Sequence, residues 1–285
     1  MTFRGHDITL GGHVSTAGGL WNAPVRAGRF GFSTFQIFSK NQMQWNARPI
    51  PEEERKSFIA RTGEMKMQKI MIHASYLLNL GTSKEPQREK TMNGFREELR
   101  RADALEVEYL VIHPGSAGDG TEKQAIRNIS AGIHDSIGEN QKVQILFETA
   151  AGQGSNVGYT FEQLAEMIDG AGDKERVGVC FDTCHVYASG YDIRSPEGYR
   201  ETMDRFSSTI GLDKLRGIHL NDSKGARGSR LDRHEQIGKG SLGIEGISNV
   251  INDPRLSNVP MCLETPLGEE GYEMDIEKIL GEIRR

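Results

Sequence analysis

A chain of 285 residues, 36% apolar and 26% charged with a mean hydropathy of −0.53, has material for one large α/β domain or two ordinary ones and excludes a disordered chain or a fibre. No apolar run approaches the roughly 20 residues of a membrane span, and the opening MTFRGHDITLGGHVS lacks the apolar centre of a signal peptide, so a cytoplasmic address is expected. The net charge is −5, and three cysteines, Cys180, Cys184 and Cys262, cannot build a secreted disulfide framework; the C-F-D-T-C spacing also differs from C-x-x-C, which leaves them a packing role.

Short β-rich runs alternate along the chain with segments of helical period. Strands are expected over residues 8–14, 34–38 and 69–73. A helix over 84–105 follows, with Met92, Phe95, Leu99, Ala102 and Leu105 at steps of three and four. Further strands are expected at 109–113, 144–148, 177–182, 215–220 and 260–264. Between them, Thr121 with Gln124 and Thr160 with Gln163 stand at capping-box spacing, and Ser195-Pro196 reads as an N-cap followed by proline at the first helical position. A closing helix begins near Tyr272. Eight β/α units without a break predict an α/β chain folded as a single (β/α)8 TIM barrel over 1–285. A doubly wound sheet is the alternative, but G-G-H-V-S after the first strand does not match a nucleotide-binding glycine fingerprint.

Active sites of such barrels form at the C-terminal ends of the strands. Here the third to eighth strands end in His73, His113, Glu148, Asp182, His219 and Glu264, with His185 just past the sixth. The loop after the seventh adds Asp232 and His234, whose D-R-H spacing points both side chains the same way in an extended segment. One histidine after an apolar strand, such as His113 in YLVIHPG, is more often structural; six successive strand ends carry the signal. Nine imidazole and carboxylate donors with one bridging carboxylate suit two or three ions, best Zn2+, with Mn2+ or Fe2+ able to fill a position. His13, after the first strand, would orient a ligand or a water. His6 and His134 match no strand end and are expected at the surface.

Clustered divalent ions favour hydrolysis of a phosphate ester. From Leu212 to Gly240 seven basic residues, Arg230 and Arg233 among them, face four acidic ones, a loop that suits either phosphate contacts or ordinary salt bridges beside the metal pocket. FSKNQMQWNARP and HASYLLNLG expose Trp45, Tyr76 and Leu77 beside Lys40 and Arg48. These apolar groups could wedge into a duplex or cap the barrel mouth.

The segments GGHVSTAGGL, HASYLLNLG, HPGS, ETAAGQGSNVG, GVCFDTCHVYASGYD, HLNDSK, GSRLDRHEQIGKG and CLETP, in this order, resemble the endonuclease IV family, the metal-dependent abasic-site endonucleases of DNA repair. The resemblance implies a TIM barrel with three zinc ions. His73 and His113 would bind the first, Glu148 would bridge to a second completed by Asp182, His219 and Glu264, and His185, Asp232 and His234 would hold the third. It also implies hydrolysis 5′ to an abasic site in double-stranded DNA, leaving a 3′-hydroxyl and a 5′-deoxyribose phosphate, with trimming of blocked 3′ ends. Glu148 or Glu264 would position or deprotonate the attacking water. An abasic nucleotide lacks stacking, so its extrusion is cheap and gives selectivity without reading sequence. Tyr76 and Leu77 would enter from the minor-groove side, with Lys40, Met43, Arg230 and Arg233 as further DNA contacts of a monomeric enzyme. Met43 departs from the family pattern, which has arginine there; methionine fills a gap but binds no phosphate.

The rival enzyme is a metal-dependent sugar isomerase or epimerase on a related barrel, which would have no use for the third donor set. A non-catalytic zinc protein would have a closed, small site.

Overall fold

The computed structural model describes residues 3–138 and 141–284. Eight parallel strands, β1 (Thr9–Gly12), β2 (Gln36–Phe38), β3 (Met71–His73), β4 (Tyr109–Ile112), β5 (Gln144–Glu148), β6 (Val177–Asp182), β7 (Leu215–His219) and β10 (Pro260–Leu263), run in the order β1-β10-β7-β6-β5-β4-β3-β2. A parallel bridge between His13 and Gln36 closes the ring, with the Val14 N–H donating to the Gln36 carbonyl at 2.9 Å. The two-residue strands β8 (Asp222–Ser223) and β9 (His234–Glu235) form an antiparallel ribbon in the connection after β7.

The pleat sorts the strand residues. Outward side chains such as Ile72, Leu110, Ile112, Phe147, Val179 and Leu263 join the core beneath the helices. Inward ones, Met71, Val111, Leu146, Cys180 and Cys262, form a separate cluster inside the barrel. This is the packing role expected of Cys180 and Cys262. Gly217 completes that layer, since a Cβ there would lie 3.1 Å from Leu146 and Met71. Two residues further along the same inward face come His73, His113, Glu148, Asp182, His219 and Glu264. The metal-type donors are thus the polar layer above an apolar plug.

Helices α1 (Asn22–Arg29), α2 (Glu52–Glu64), α3 (Gln87–Ala104), α4 (Glu122–His134), α5 (Phe161–Gly170), α6 (Thr183–Ser189), α7 (Pro196–Thr209), α8 (Gly243–Ile251) and α9 (Tyr272–Glu282) complete the chain. The hydroxyls of Thr121, Thr160 and Ser195 cap α4, α5 and α7 by accepting from Gln124, Gln163 and Gly198 N–H groups. The return half of each box differs from expectation: Gln163 Oε1 accepts the Gly158 and Tyr159 N–H groups, and Gln124 Nε2 donates to Asn128 Oδ1. The helix expected from residue 84 begins after Pro86, since proline disfavours helical backbone at the residue before it.

Candidate metal centre

Three donor groups gather at the C-terminal mouth, each with its ligand atoms within 4.8 Å of one another: His73, His113 and Glu148; Glu148, Asp182, His219 and Glu264; and His185, Asp232 and His234. Glu148 belongs to two of them, and all nine residues picked from strand ends are present. A fourth group, Asp182, Cys184 and His234, overlaps these. Its thiol is buried and accordingly pushed up to about 12.

The histidines are aimed by their outer nitrogens. Nδ1 of His73, His185 and His234 lies 2.7, 2.9 and 3.0 Å from the carbonyls of Ala74, Thr149 and Glu264. A carbonyl only accepts, so each ring donates there and turns Nε2 to the centre. Nε2 of His73 and of His113 then stands 3.2 and 3.0 Å from Glu148 Oε2, and Nε2 of His185 is 3.0 Å from Asp232 Oδ1. His219 is reversed: Nε2 is 2.9 Å from Gln36 Oε1 while Nδ1 is 3.1 Å from Glu148 and 3.2 Å from Glu264. Asp182 caps α6 by accepting the His185 N–H at 2.8 Å and takes the Asn221 amide at 2.8 Å. Asn221 in turn accepts the Glu264 N–H at 2.8 Å.

Burial by itself would raise Glu148, but His113 and His219 more than offset it and hold its carboxyl well below the usual range. Glu264 is likewise depressed, burial being outweighed by His219 and the His13 hydrogen bond. Asp232, despite burial, is drawn down to about 2 by His185. His185 and His219 are raised well above the ordinary value because neighbouring anions overcome burial. His13 is lowered, burial being its main cause, and its Nδ1 is 3.4 Å from Glu264. The exposed His134 and half-buried His6 stay outside the donor groups.

The centre is deep on one side and open on the other. Glu148, Asp182, His73, His185 and His219 are buried, whereas the side chains of His113 and Asp232 are 37% and 34% exposed. A structural ion is closed off by its ligands; this layout leaves coordination accessible from solvent. Imidazole nitrogens and anionic carboxylates facing one another across a few ångströms form a donor set fitted to divalent ions.

The rim carries apolar groups. Met43 and Tyr76 are 64% and 53% exposed, Leu77 is half-buried, and the Tyr76 ring stands 5.2 and 5.5 Å from those of His73 and His113. Leu231 and Leu267 are exposed as well. Trp45 turns inward against the core, with the Lys90 ammonium 4.5 Å above its ring. The Arg230 guanidinium lies 5.0 Å over Tyr159, and Arg233 donates to the Asp232 carbonyl at 2.6 Å.

Two expectations about charge change. The Lys40 side chain is buried, 3.5 Å from Glu98 and bonded to the Trp45 carbonyl at 3.1 Å, because a loop folded over buried polar atoms must satisfy them internally. Lys214, just before β7, and Arg216, near its start, lie at the barrel end opposite the metal centre and pair with Glu175. Gln36, Asn221 and Cys184 are site neighbours that strand-end reasoning missed. The signal for Gln36 was available as a polar residue at an inward position of F-Q-I-F.

A parallel eight-stranded barrel with divalent-cation donors at its mouth defines a metal-dependent TIM-barrel enzyme class, and a family model described as xylose isomerase-like TIM barrel matches residues 25–281. The chain is 45% identical over 276 residues to the probable endonuclease 4 of Thermoplasma volcanium, covering 96% of this chain and 95% of that protein. It superposes on the crystal structure of endonuclease IV from Thermus thermophilus with a TM-score of 0.86 at 35% identity, covering 96% of this chain and 98% of that one. A D-tagatose 3-epimerase-like protein shares the fold alone, with a TM-score of 0.72 at 18% identity and coverage of 96% and 97%. The chain belongs to the endonuclease IV family.

Proposed function

We propose that this chain, acting as one monomeric catalytic domain in the cytoplasm, hydrolyses the phosphodiester on the 5′ side of an abasic site in double-stranded DNA. It leaves a 3′-hydroxyl and a 5′-deoxyribose phosphate, and the same centre trims blocked 3′ ends. The observation that carries this reading is the set of three donor groups, two of them joined by Glu148. His73, His113 and Glu148 would hold one zinc, Glu148, Asp182, His219 and Glu264 a second, and His185, Asp232 and His234 a third, with Mn2+ or Fe2+ able to replace one of them. Bound there, divalent ions would neutralise phosphoryl charge and make water a nucleophile near neutral pH.

Glu148 and Glu264, held anionic by their surroundings, can orient water and accept its proton. The exposed edges of His113 and Asp232 leave the centre open to an arriving backbone phosphate. Tyr76 and Met43, exposed, and the half-buried Leu77 would fill the gap left by a missing base. Arg230 and Arg233 suit phosphate contacts, whereas Lys40, paired with Glu98, supports its loop from within. A sugar isomerase would leave the third donor group without a use.

The test is strand incision of a duplex carrying one abasic analogue, with intact duplex as control. Cleavage confined to the lesion, lost on metal stripping, regained with zinc and reduced at least about 100-fold in Glu264→Gln, is the expected result. A fully metallated chain that leaves the lesion intact refutes the reading, and free sugars become the next substrates.

A further inference from the structure

Gln36 is wholly buried on β2, facing the barrel axis, and touches three residues of the centre without belonging to any donor group. Its Nε2 is 2.6 Å from Glu264 Oε1 and 3.1 Å from His13 Nδ1, and its Oε1 is 2.9 Å from His219 Nε2. An ionised carboxylate can only accept a hydrogen bond, so the atom facing Glu264 must be the amide nitrogen. The oxygen then faces His219 and can only accept, which requires the proton of that imidazole to sit on Nε2. Nδ1, at 3.1 and 3.2 Å from Glu148 Oε1 and Glu264 Oε2, is then the nitrogen whose lone pair would serve a cation bound between those carboxylates. Chemistry propagates in one direction through this chain of contacts, from carboxylate to amide to imidazole.

His73, His185 and His234 obtain the opposite orientation from backbone carbonyls. For His219 the only aiming partner among the described residues is a side chain, and it comes from a strand that supplies no ligand of its own. We infer that Gln36 is a positioning residue that selects the Nδ1 face of His219 for the four-donor group and fixes the Glu264 carboxylate beside it. This inference rests on the metal reading proposed above. The partners that aim metal-ligating groups typically account for roughly 10- to 100-fold in metal affinity.

The test compares wild type with Gln36→Met, which keeps length and loses all three polar contacts, with Gln36→Ala as a second truncation should methionine unfold the barrel, and with Gln36→Glu. Thermal unfolding establishes that each is folded. Zinc affinity is read by chelator competition, and the His219 tautomer by long-range 1H–15N correlation of the zinc-loaded protein. Wild type should show His219 protonated at Nε2 with Nδ1 bound. The truncations should lose that signature and release one class of zinc roughly 10- to 100-fold more readily. Gln36→Glu, which the adjacent Glu264 carboxylate would keep protonated, retains an O–H donor for Glu264 and an acceptor for His219 and should keep the Nε2-protonated signature. A folded truncation with wild-type tautomer and zinc affinity overturns the inference, as does loss of the signature in folded Gln36→Glu. Wild type that binds no zinc overturns it together with the metal reading. Failure of the endonuclease reading is read separately, in the incision assay, because zinc affinity and tautomer require no DNA.

Discussion

Lys40 and Met43 are neighbours in one loop with opposite fates. The Lys40 ammonium points into the protein toward Glu98, while the Met43 side chain stands free at the rim. Glu98 is itself almost wholly buried, accepting from the Ser39 hydroxyl at 3.1 Å and the Ser75 N–H at 3.2 Å, so it ties the loop after β2 to the loop bearing Tyr76. Glu98→Ala leaves a buried cation unpaired and should cost about 3 kcal/mol in urea unfolding. For the proposed DNA complex, Lys40→Met should leave the slope of log affinity against log salt unchanged, whereas Arg233→Ala should lower its magnitude by about 1. Met43→Arg should raise affinity and steepen the slope by a similar amount, since it places a guanidinium at an exposed position. Residue types alone could not separate Lys40 from Arg233, because both are basic groups beside aromatic ones in polar loops. Only the position of Glu98, on a helix about sixty positions away, makes the difference.

Helix starts and strand ends were legible because each rests on local chemistry. Thr160 accepts the Gln163 N–H at 3.2 Å, so Thr160→Ala should destabilise the protein by about 1 kcal/mol, measured as a lowered urea midpoint at unchanged slope. The turn leading into β10 carries another local device. Asp253 accepts the Tyr199 hydroxyl at 2.8 Å and the Arg255 guanidinium at 2.6 Å, and Arg255 more than offsets burial to hold its carboxyl below the usual value. A depressed acid stabilises the fold above its unfolded pKa of about 3.9 and loses that contribution as pH falls through the folded value. Asp253→Asn should therefore lower the unfolding midpoint at pH 7 and flatten the acid limb below about pH 4. The β8–β9 ribbon escaped detection because two-residue strands have no period to read. It nonetheless matters: pairing of Ser223 with His234 holds the D-R-H segment extended beside the mouth.

Across the molecule, the three donor groups join six barrel strands and the ribbon loop, so ions bound there would act as a clasp on the native state alone. Stripping the metals should lower thermal stability, and restoring zinc at about a thousand times its dissociation constant should return about 4 kcal/mol per site. Differential scanning calorimetry of stripped and reloaded protein checks this; identical midpoints would mean that the centre takes up no ion. The stripped chain should stay folded, because the apolar plug of Met71, Val111, Leu146, Cys180 and Cys262 lies below the polar layer and does not depend on it.

The amino-acid sequence by itself determined the barrel and its nine donors. Alternation along each strand assigns one face to the axis, and a ligand-type residue two positions beyond an inward apolar one must then stand at the mouth. Tertiary structure alone decided how those donors are aimed and supported. Gln36 faces His219 and Glu264 from β2, and Lys40 turns inward to Glu98. Each of these depends on a distance between segments far apart in the chain, set by the closure of β1 onto β2 and the stagger of the strands around the ring. No local pattern of residue types encodes such a distance.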